Sequence, residues 1–382
     1  MKVAYLCADP GIPVFGHKGA SIHIQEVLRA LLAQGMAITL FAQRFDGPVP
    51  AEFKQINIKP LPSLSPNTHG EERARQAMGV NSWVAEQLAL TGPYDVVYER
   101  YSLWSHAGMT FARLSGITGI LEVNAPLIEE QRKYRQLPLE QEAEQTLRQV
   151  LTNADTIIAV SPGVKNWLEN NYPESGNKVH IVANGVDPAR YPARKAARNN
   201  QVVIGFVGSL KPWHGVQTLV EAFHLLHQRG RPVRLCIVGD GPEYPQLRAQ
   251  LTQYGLLSFC YFSGAVNHAS VPRLLAAMDI AVAPYPRLTS FYFSPLKIYE
   301  YMAARLPVIT TRVGHLPEVV SEGKTGLLVA PDDAQALCIA IERLLDDVPL
   351  CQRLGEAGRQ QVEQNQSWQN ITAQIWRLAG LK

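Results

Sequence analysis

The 382-residue chain has no apolar run long enough to cross a bilayer, no Cys-x-x-Cys pair, no Asp-x-Asp and no large excess of either charge. Each absence removes a class of protein. A spanning helix needs about 20 apolar residues in a row, and the opening MKVAYLCADPG breaks at Asp9-Pro10 after a short run, which reads as a first strand and not as a signal peptide. The five cysteines, Cys7, Cys236, Cys260, Cys338 and Cys351, are odd in number and widely spaced. That argues against a disulfide framework and suits small core residues in a reducing compartment. A net charge of +3 is too weak for a nucleic-acid-binding protein. It leaves room for an anionic small molecule, or for loose contact with a negatively charged membrane surface. The expectation is a cytoplasmic protein, with peripheral contact at the inner face of the membrane left open. There is no repeat at solenoid period and no low-complexity tract.

What is present is a soluble, globular composition, 46% hydrophobic and 18% charged, in a chain long enough for roughly two to three domains. Short apolar runs alternate with amphipathic segments, the pattern of parallel sheets covered by helices on both faces. The first half offers strands at 3–7, 37–41, 56–60, 95–98, 119–123, 156–160 and 179–182, with a helix over 21–35 that ends at Gly35. After a polar, basic segment at 187–201 the rhythm restarts, with strands at 202–208, 234–239, 259–264, 279–284, 307–311 and 326–330. The expected division is a Rossmann-like domain over 1–183, a linker over 184–201 and a second Rossmann-like domain over 202–366. The linker cations Arg190, Arg194, Lys195 and Arg198 read first as a solvated face. A final helix over 367–380, with Trp368, Ile371, Ile375, Trp376 and Leu378, must bury an apolar face.

The richest segment is FYFSPLKIYEYMA at 291–303. Ser294 is a good helix cap and Pro295 suits the first helical position. Free N–H groups of Leu296 and Lys297 at the helix start, with the Lys297 ammonium beside them, suit a diphosphate. Glu300, one turn on, suits sugar hydroxyls. An ordinary capped helix with a solvated lysine explains the segment equally well. Elsewhere, IGFVGSLKPWHG puts Ser209, Lys211 and His214 at a strand end where a phosphate would meet them, Lys211 being the cation. CIVGDGPE places Gly239 and Asp240 at the next strand end, and FSGAV brings the backbone near Val266 to where a nucleobase edge could lie. The loop VFGHKGAS after the first strand is not a dinucleotide fingerprint, because Gly16-x-x-Gly19 lacks the third glycine. Gly16 and Gly19 still permit close approach of an anion, although a structural turn explains them almost as well.

Together SLKPWHG, VGDGPE, SPLKIYEYMA followed by PVITTRVGHLPEVV, IVANGVD at 181–187 and the terminal SWQNI resemble the retaining glycosyltransferases of family 4. The resemblance covers essentially the whole chain and is stronger in its second half. It implies α/β GT-B architecture: two Rossmann-like domains with parallel sheets facing across a cleft, an acceptor domain first, a nucleotide-sugar domain second, and a last helix (367–382) crossing back to the first domain. It implies that Glu300 grips the nucleotide ribose, and that Gly19 belongs to a glycine-rich loop facing the diphosphate. This chain departs from the family in three places. The carboxylate expected eight residues before Glu300, with seven residues between the two, is replaced, the position falling on Tyr292. The diphosphate-binding Arg and Lys fall on Ser209 and His214, leaving Lys211 and Lys297 as substitutes. The histidine expected after the fifth strand is absent, and Glu122 or Asn124 occupies its region. Glu99 to Ser102, His23 and His106 read as structural or substrate-positioning groups.

The expectation is therefore a retaining hexosyltransferase that moves a sugar from a nucleoside diphosphate, UDP favoured, to an acceptor hydroxyl on a saccharide, a lipid-linked saccharide or a small molecule. No metal and no resident cofactor is expected, because helix N-termini and lysines can stabilise the leaving diphosphate. The residues expected to take part most directly are Glu300, Lys297, Lys211 and Asn124. Two other readings stay open at this point: a nonhydrolysing nucleotide-sugar epimerase, and a nucleotide-sugar-binding module without activity.

Overall fold

The computed structural model describes residues 1–192 and 201–381, so the linker cations Arg194, Lys195 and Arg198 lie outside the described residues. The chain forms two compact units. The first contains Met1–Ala183, Tyr292–Ser294 and the chain from Ile371 onward. The second contains Asn184–Phe291 and Pro295–Asn370.

In the first unit, strands β1 (Lys2–Cys7), β2 (Ala37–Ala42), β3 (Asn57–Pro60), β4 (Val96–Arg100), β5 (Thr118–Val123), β6 (Thr156–Ala159) and β7 (Val179–Ile181) form one parallel sheet in the order β3-β2-β1-β4-β5-β6-β7. Helices cover both faces, so the strands are apolar almost without a break and Val3 to Cys7 are buried. The helix Gly19–Ala33 turns Ile24, Val27, Leu28 and Leu31 inward at the i, i+3, i+4, i+7 spacing of a single face. It stops before Gly35, whose φ of 75° suits a residue without a Cβ.

The second unit repeats the plan with β8 (Val202–Val207), β9 (Val233–Val238), β10 (Cys260–Phe262), β11 (Ile280–Ala283), β12 (Val308–Thr311) and β13 (Gly326–Val329) in the order β10-β9-β8-β11-β12-β13. Each sheet reverses its strand order once, between β1 and β4 in the first unit and between β8 and β11 in the second. Loops leaving the carboxyl ends of those strands diverge to opposite faces, and open α/β sheets bind their ligands there.

The terminal helix Trp368–Leu378 buries Trp368, Ile371, Ile375 and Trp376. Its later part belongs to the first unit. There the Trp376 indole packs edge-on to Tyr98 and points its N–H at Met36 Sδ, 3.2 Å away, while Gln34 Nε2 donates to Thr372 Oγ1 at 2.6 Å. All five cysteines are free, with Cys7, Cys236 and Cys338 buried. Among the described residues no helix is long and apolar enough to cross a membrane.

Candidate functional site

The helix Leu296–Ala303 is fixed at the switch point of the second unit by Tyr301. Its buried hydroxyl accepts the Val207 N–H at 2.8 Å and lies 3.4 Å and 3.5 Å from the carbonyls of Val207 and Val282, so one phenol ties the ends of β8 and β11 to the helix. The bridging hydroxyl of Tyr301 carries no local signal in the sequence. The helix start corrects the reading of Ser294 and Pro295. Pro295 has ψ 66°, outside the helical region, and its carbonyl accepts the Ile298 N–H, so it stands at the cap position. Proline has no polar side chain, so the cap residue itself offers the N–H groups of Leu296 and Lys297 no acceptor.

Lys297 is 9% exposed, and its Nζ has no hydrogen-bond partner among the described residues. The ammonium lies over the rings of Phe206 and Tyr285, 4.8 Å and 4.9 Å from their centroids. Burial brings its pKa down to about 7, with Glu300 pulling the other way. Two aromatic faces offer a cation some compensation. An ammonium this buried without an anion is an expensive arrangement, and an arriving phosphate would relieve it. Glu300 is held differently from expectation: Oε1 pairs with His268 Nε2 at 2.6 Å and accepts from the Tyr191 hydroxyl at 3.2 Å. Its second oxygen, Oε2, takes part in neither bond. These partners lie 32 and 109 residues away in sequence, where no local pattern announces them.

The loop after β8 carries Ser209, Lys211 and His214. His214 Nδ1 sits 2.5 Å from the Ser209 carbonyl, and since a carbonyl only accepts, Nδ1 carries the proton. Burial first, then the positive charges of Lys297 and Lys211, lower its pKa to about 3. His214 is therefore neutral and braces the loop, offering a phosphate no charge. Lys211 is half-buried with Nζ 4.7 Å from the Trp213 ring centroid. Gly239 is required by the protein itself: its φ is 134°, and a Cβ there would lie 2.0 Å from the Gly208 carbonyl oxygen. Asp240 is exposed, its carbonyl accepting from Leu210 N and its Oδ1 from Gly241 N. The Gly-Asp-Gly turn thus supports the loop after β8, where the sequence had suggested an opening for ligand. Val266 is half-buried just beyond Gly264, whose carbonyl receives the Gly239 N–H.

In the first unit, Glu122 at the carboxyl end of β5 is buried with both oxygens doubly engaged. Oε1 meets His23 Nε2 at 2.8 Å and the Tyr98 hydroxyl at 2.9 Å; Oε2 meets Asn124 Nδ2 at 3.0 Å and Arg100 at 3.4 Å. Burial favours the neutral acid, but His23, Arg100 and Asn124 outweigh it and bring the pKa to about 2. A carboxylate so saturated cannot act as a base near neutrality. A carboxylate only accepts, so Asn124 must turn its NH2 inward and its carbonyl oxygen away. Glu99 serves the fold by capping the helix Ala107–Ser115 at Met109 N, 2.9 Å, and by accepting from Ser105 at 2.5 Å. His106 contacts Gln149 and reads as structural.

Gly16 and Gly19 also separate. A Cβ at Gly16 would strike Pro13 at 2.7 Å, whereas one at Gly19, the first residue of its helix, would meet nothing within 4 Å. Tyr292 is grouped with the first unit: its hydroxyl donates to Glu130 Oε1 at 2.5 Å and its carbonyl accepts from Ser161 at 2.6 Å. Ser294 is grouped there too, one residue before the cap position that Pro295 takes.

Two parallel Rossmann-like sheets, together with two glycosyltransferase profiles, define the class: the chain is a glycosyltransferase of the GT-B fold. Residues 17–190 match the profile of Glycosyltransferase Family 4, and residues 201–347 match that of Glycosyl transferases group 1. The chain is 26% identical over 291 residues to a glycogen synthase of Mycobacterium tuberculosis, covering 75% of this chain and 69% of that one. It is 26% identical over 406 residues to a D-inositol 3-phosphate glycosyltransferase of Jonesia denitrificans, covering 95% and 92%. Among solved structures it resembles Anabaena Alr3699/HepE in complex with UDP and glucose, with a TM-score of 0.74, 18% identity, and coverage of 100% of this chain and 99% of that one.

Proposed function

We propose that this glycosyltransferase is a retaining hexosyltransferase that uses a nucleoside diphosphate sugar, UDP-linked in the first instance, and needs no metal ion. The observation that carries the reading is Lys297: a buried ammonium with no hydrogen-bond partner among the described residues, in the first turn of a helix whose cap residue is a proline, and at a sheet switch point. That combination suits a diphosphate, because the first-turn N–H groups and the ammonium take up charge as it develops on the leaving group. Lys211 adds a second cation from the facing loop. Glu300 Oε2 suits the ribose hydroxyls, with His268 and Tyr191 holding the side chain in one rotamer. The fold likeness to a protein solved with UDP and glucose supports uridine as the first base to try.

In the reaction the C1–O bond to the diphosphate breaks, the acceptor oxygen bonds to C1 on the same face, and the acceptor proton passes to the departing phosphate oxygen. Glu122 is saturated and Glu99 caps a helix, so the proposal assigns no protein base. Asn124, its amide pinned by Glu122, would present its carbonyl oxygen to an acceptor hydroxyl. The acceptor is a hydroxyl of a saccharide, a lipid-linked saccharide or a small molecule.

The test is thermal denaturation with UDP, GDP, ADP and dTDP, each with EDTA, for the parent and Lys297→Ala. Ligand at a hundredfold over Kd stabilises by about 2.7 kcal/mol. One nucleotide should raise the parent's Tm in EDTA and fail to raise that of the variant. Equal responses would refute the placement, and a response that disappears with EDTA would refute metal independence. The anomeric proton coupling of the product, read by NMR, tests retention. Consumption of donor in the absence of any acceptor, with epimerised sugar as product, would identify an epimerase instead.

A further inference from the structure

His315 lies just past β12, at the carboxyl edge of the second unit's sheet. It is 8% exposed, and among the described residues neither ring nitrogen has a hydrogen-bond partner. It is the second unpaired polar group in one neighbourhood. The His315 ring packs on Phe291 with centroids 5.3 Å apart, Phe291 packs on Tyr285 at 5.2 Å, and Lys297 Nζ lies 4.9 Å from the Tyr285 centroid. One aromatic pair is thus flanked by a lone ammonium on one side and a lone imidazole on the other.

The position of the ring is imposed by its surroundings. Gly314 has φ 54°, and a Cβ there would lie 2.6 Å from Phe291, so the backbone entering His315 presses directly on that ring. The end of β12 is pinned as well, Thr310 donating to the Ala283 carbonyl and Thr311 to the Tyr285 carbonyl, each at 2.7 Å. Burial holds the imidazole below its usual pKa, Glu318 opposing, and the ring is neutral near pH 7. A neutral imidazole has one N–H donor and one lone-pair acceptor on opposite sides. Phosphate oxygens satisfy only the donor and set negative charge against the lone pair. Sugar hydroxyls, which donate and accept, satisfy both.

We propose that His315 hydrogen-bonds hydroxyls of the sugar carried by the donor, and so helps to determine which sugar is accepted. This rests on the reading of the second unit as the binding site of a nucleoside diphosphate sugar. It assigns to a residue after β12 the hydroxyl recognition for which Tyr292 lacks a carboxylate.

The experiment measures Kd by calorimetry for matched pairs, UDP with UDP-glucose, GDP with GDP-mannose and ADP with ADP-glucose, on the parent and His315→Phe. The variant should keep its affinity for the bare diphosphate within about twofold and lose about tenfold or more for the sugar nucleotide. Equal losses for both ligands, or none for either, would overturn the assignment. Should His315→Phe fail to fold, His315→Asn and the imidazole nitrogen resonances of the parent serve instead. The sugar nucleotide should shift the His315 nitrogens beyond any effect of the bare diphosphate, and matching spectra would refute the contact. A parent that binds a nucleoside diphosphate while His315 stays indifferent to the sugar sinks this inference alone. A parent that binds none of the diphosphates sinks the donor reading and this inference with it.

Discussion

Gly208 makes room for Lys297: a Cβ at position 208 would stand 3.1 Å from both Cε and Nζ of the lysine. The chain end of β8 and the first turn of the helix Leu296–Ala303 are thus fitted around one ammonium, which the folded protein destabilises by burying it. Lys297→Met should raise the ligand-free Tm while removing nucleotide binding, a trade of stability for function. The pH dependence has a definite sign. The folded pKa, about 7, lies below the unfolded value of about 10.4. The unfolded chain therefore holds the extra proton between them, and stability rises with pH across that window. Urea denaturation at pH 6.5 and pH 9.5 should show the parent gaining on Lys297→Met as pH increases. A constant difference would contradict a depressed lysine.

Glu122 anchors four donors, and Glu122→Gln leaves Arg100 buried without its counter-charge. We expect a loss of about 3–5 kcal/mol at pH 7. Because the folded pKa is held down to about 2, the stabilisation is complete above the ordinary carboxyl value of about 4.3 and declines as pH falls towards 2. Denaturation midpoints of parent and variant should therefore converge in acid. Midpoints that stay equally far apart at pH 2 would show that packing, and not charge, carries the effect.

Two glycines provide a control for each other. Gly239→Ala drives a methyl into the Gly208 carbonyl at a positive φ and should destabilise by about 2–5 kcal/mol. Gly19→Ala meets open space at the start of a helix and should leave Tm unchanged or slightly raised. If that space receives the donor diphosphate, its KM for donor rises by roughly tenfold, about 1.4 kcal/mol. Normal donor KM in Gly19→Ala would remove this loop from the site.

Trp376→Ala removes a buried indole from the first unit, where it meets Tyr98 and Met36. The expected cost is about 3–5 kcal/mol. Near-ultraviolet circular dichroism should register the loss of the Tyr98 contact, and an unchanged melting curve would show that the terminal helix docks loosely.

Much of this fold is legible in the sequence because parallel strands buried on both faces leave continuous apolar runs. Stretches such as VVIGFV and DIAVAP need no alignment to be recognised as strands. The positions of Ser209 and Lys211 in the loop after β8, and of Lys297 at a helix start, are also legible from the local pattern. The pairing of Glu300 with His268 and Tyr191 is not, because long-range contacts between side chains leave no periodicity in the sequence. The Ser294-Pro295 cap fails for a local reason: whether proline sits inside or outside a helix turns on ψ, which the residue type does not fix. Gly239 misleads because a glycine that admits a neighbouring backbone looks the same in sequence as one that admits a ligand.

The contribution of the chain from Ile371 to the first unit, through Thr372 and Trp376, bears on how the protein is made. A ribosome that has already delivered Ala183 must still synthesise the whole second unit before Trp376 can reach Tyr98. At about 5–20 residues per second this is a wait of roughly 10–40 s. Throughout that interval the nascent first unit carries an unfilled hydrophobic seat, the natural place for a chaperone to hold it.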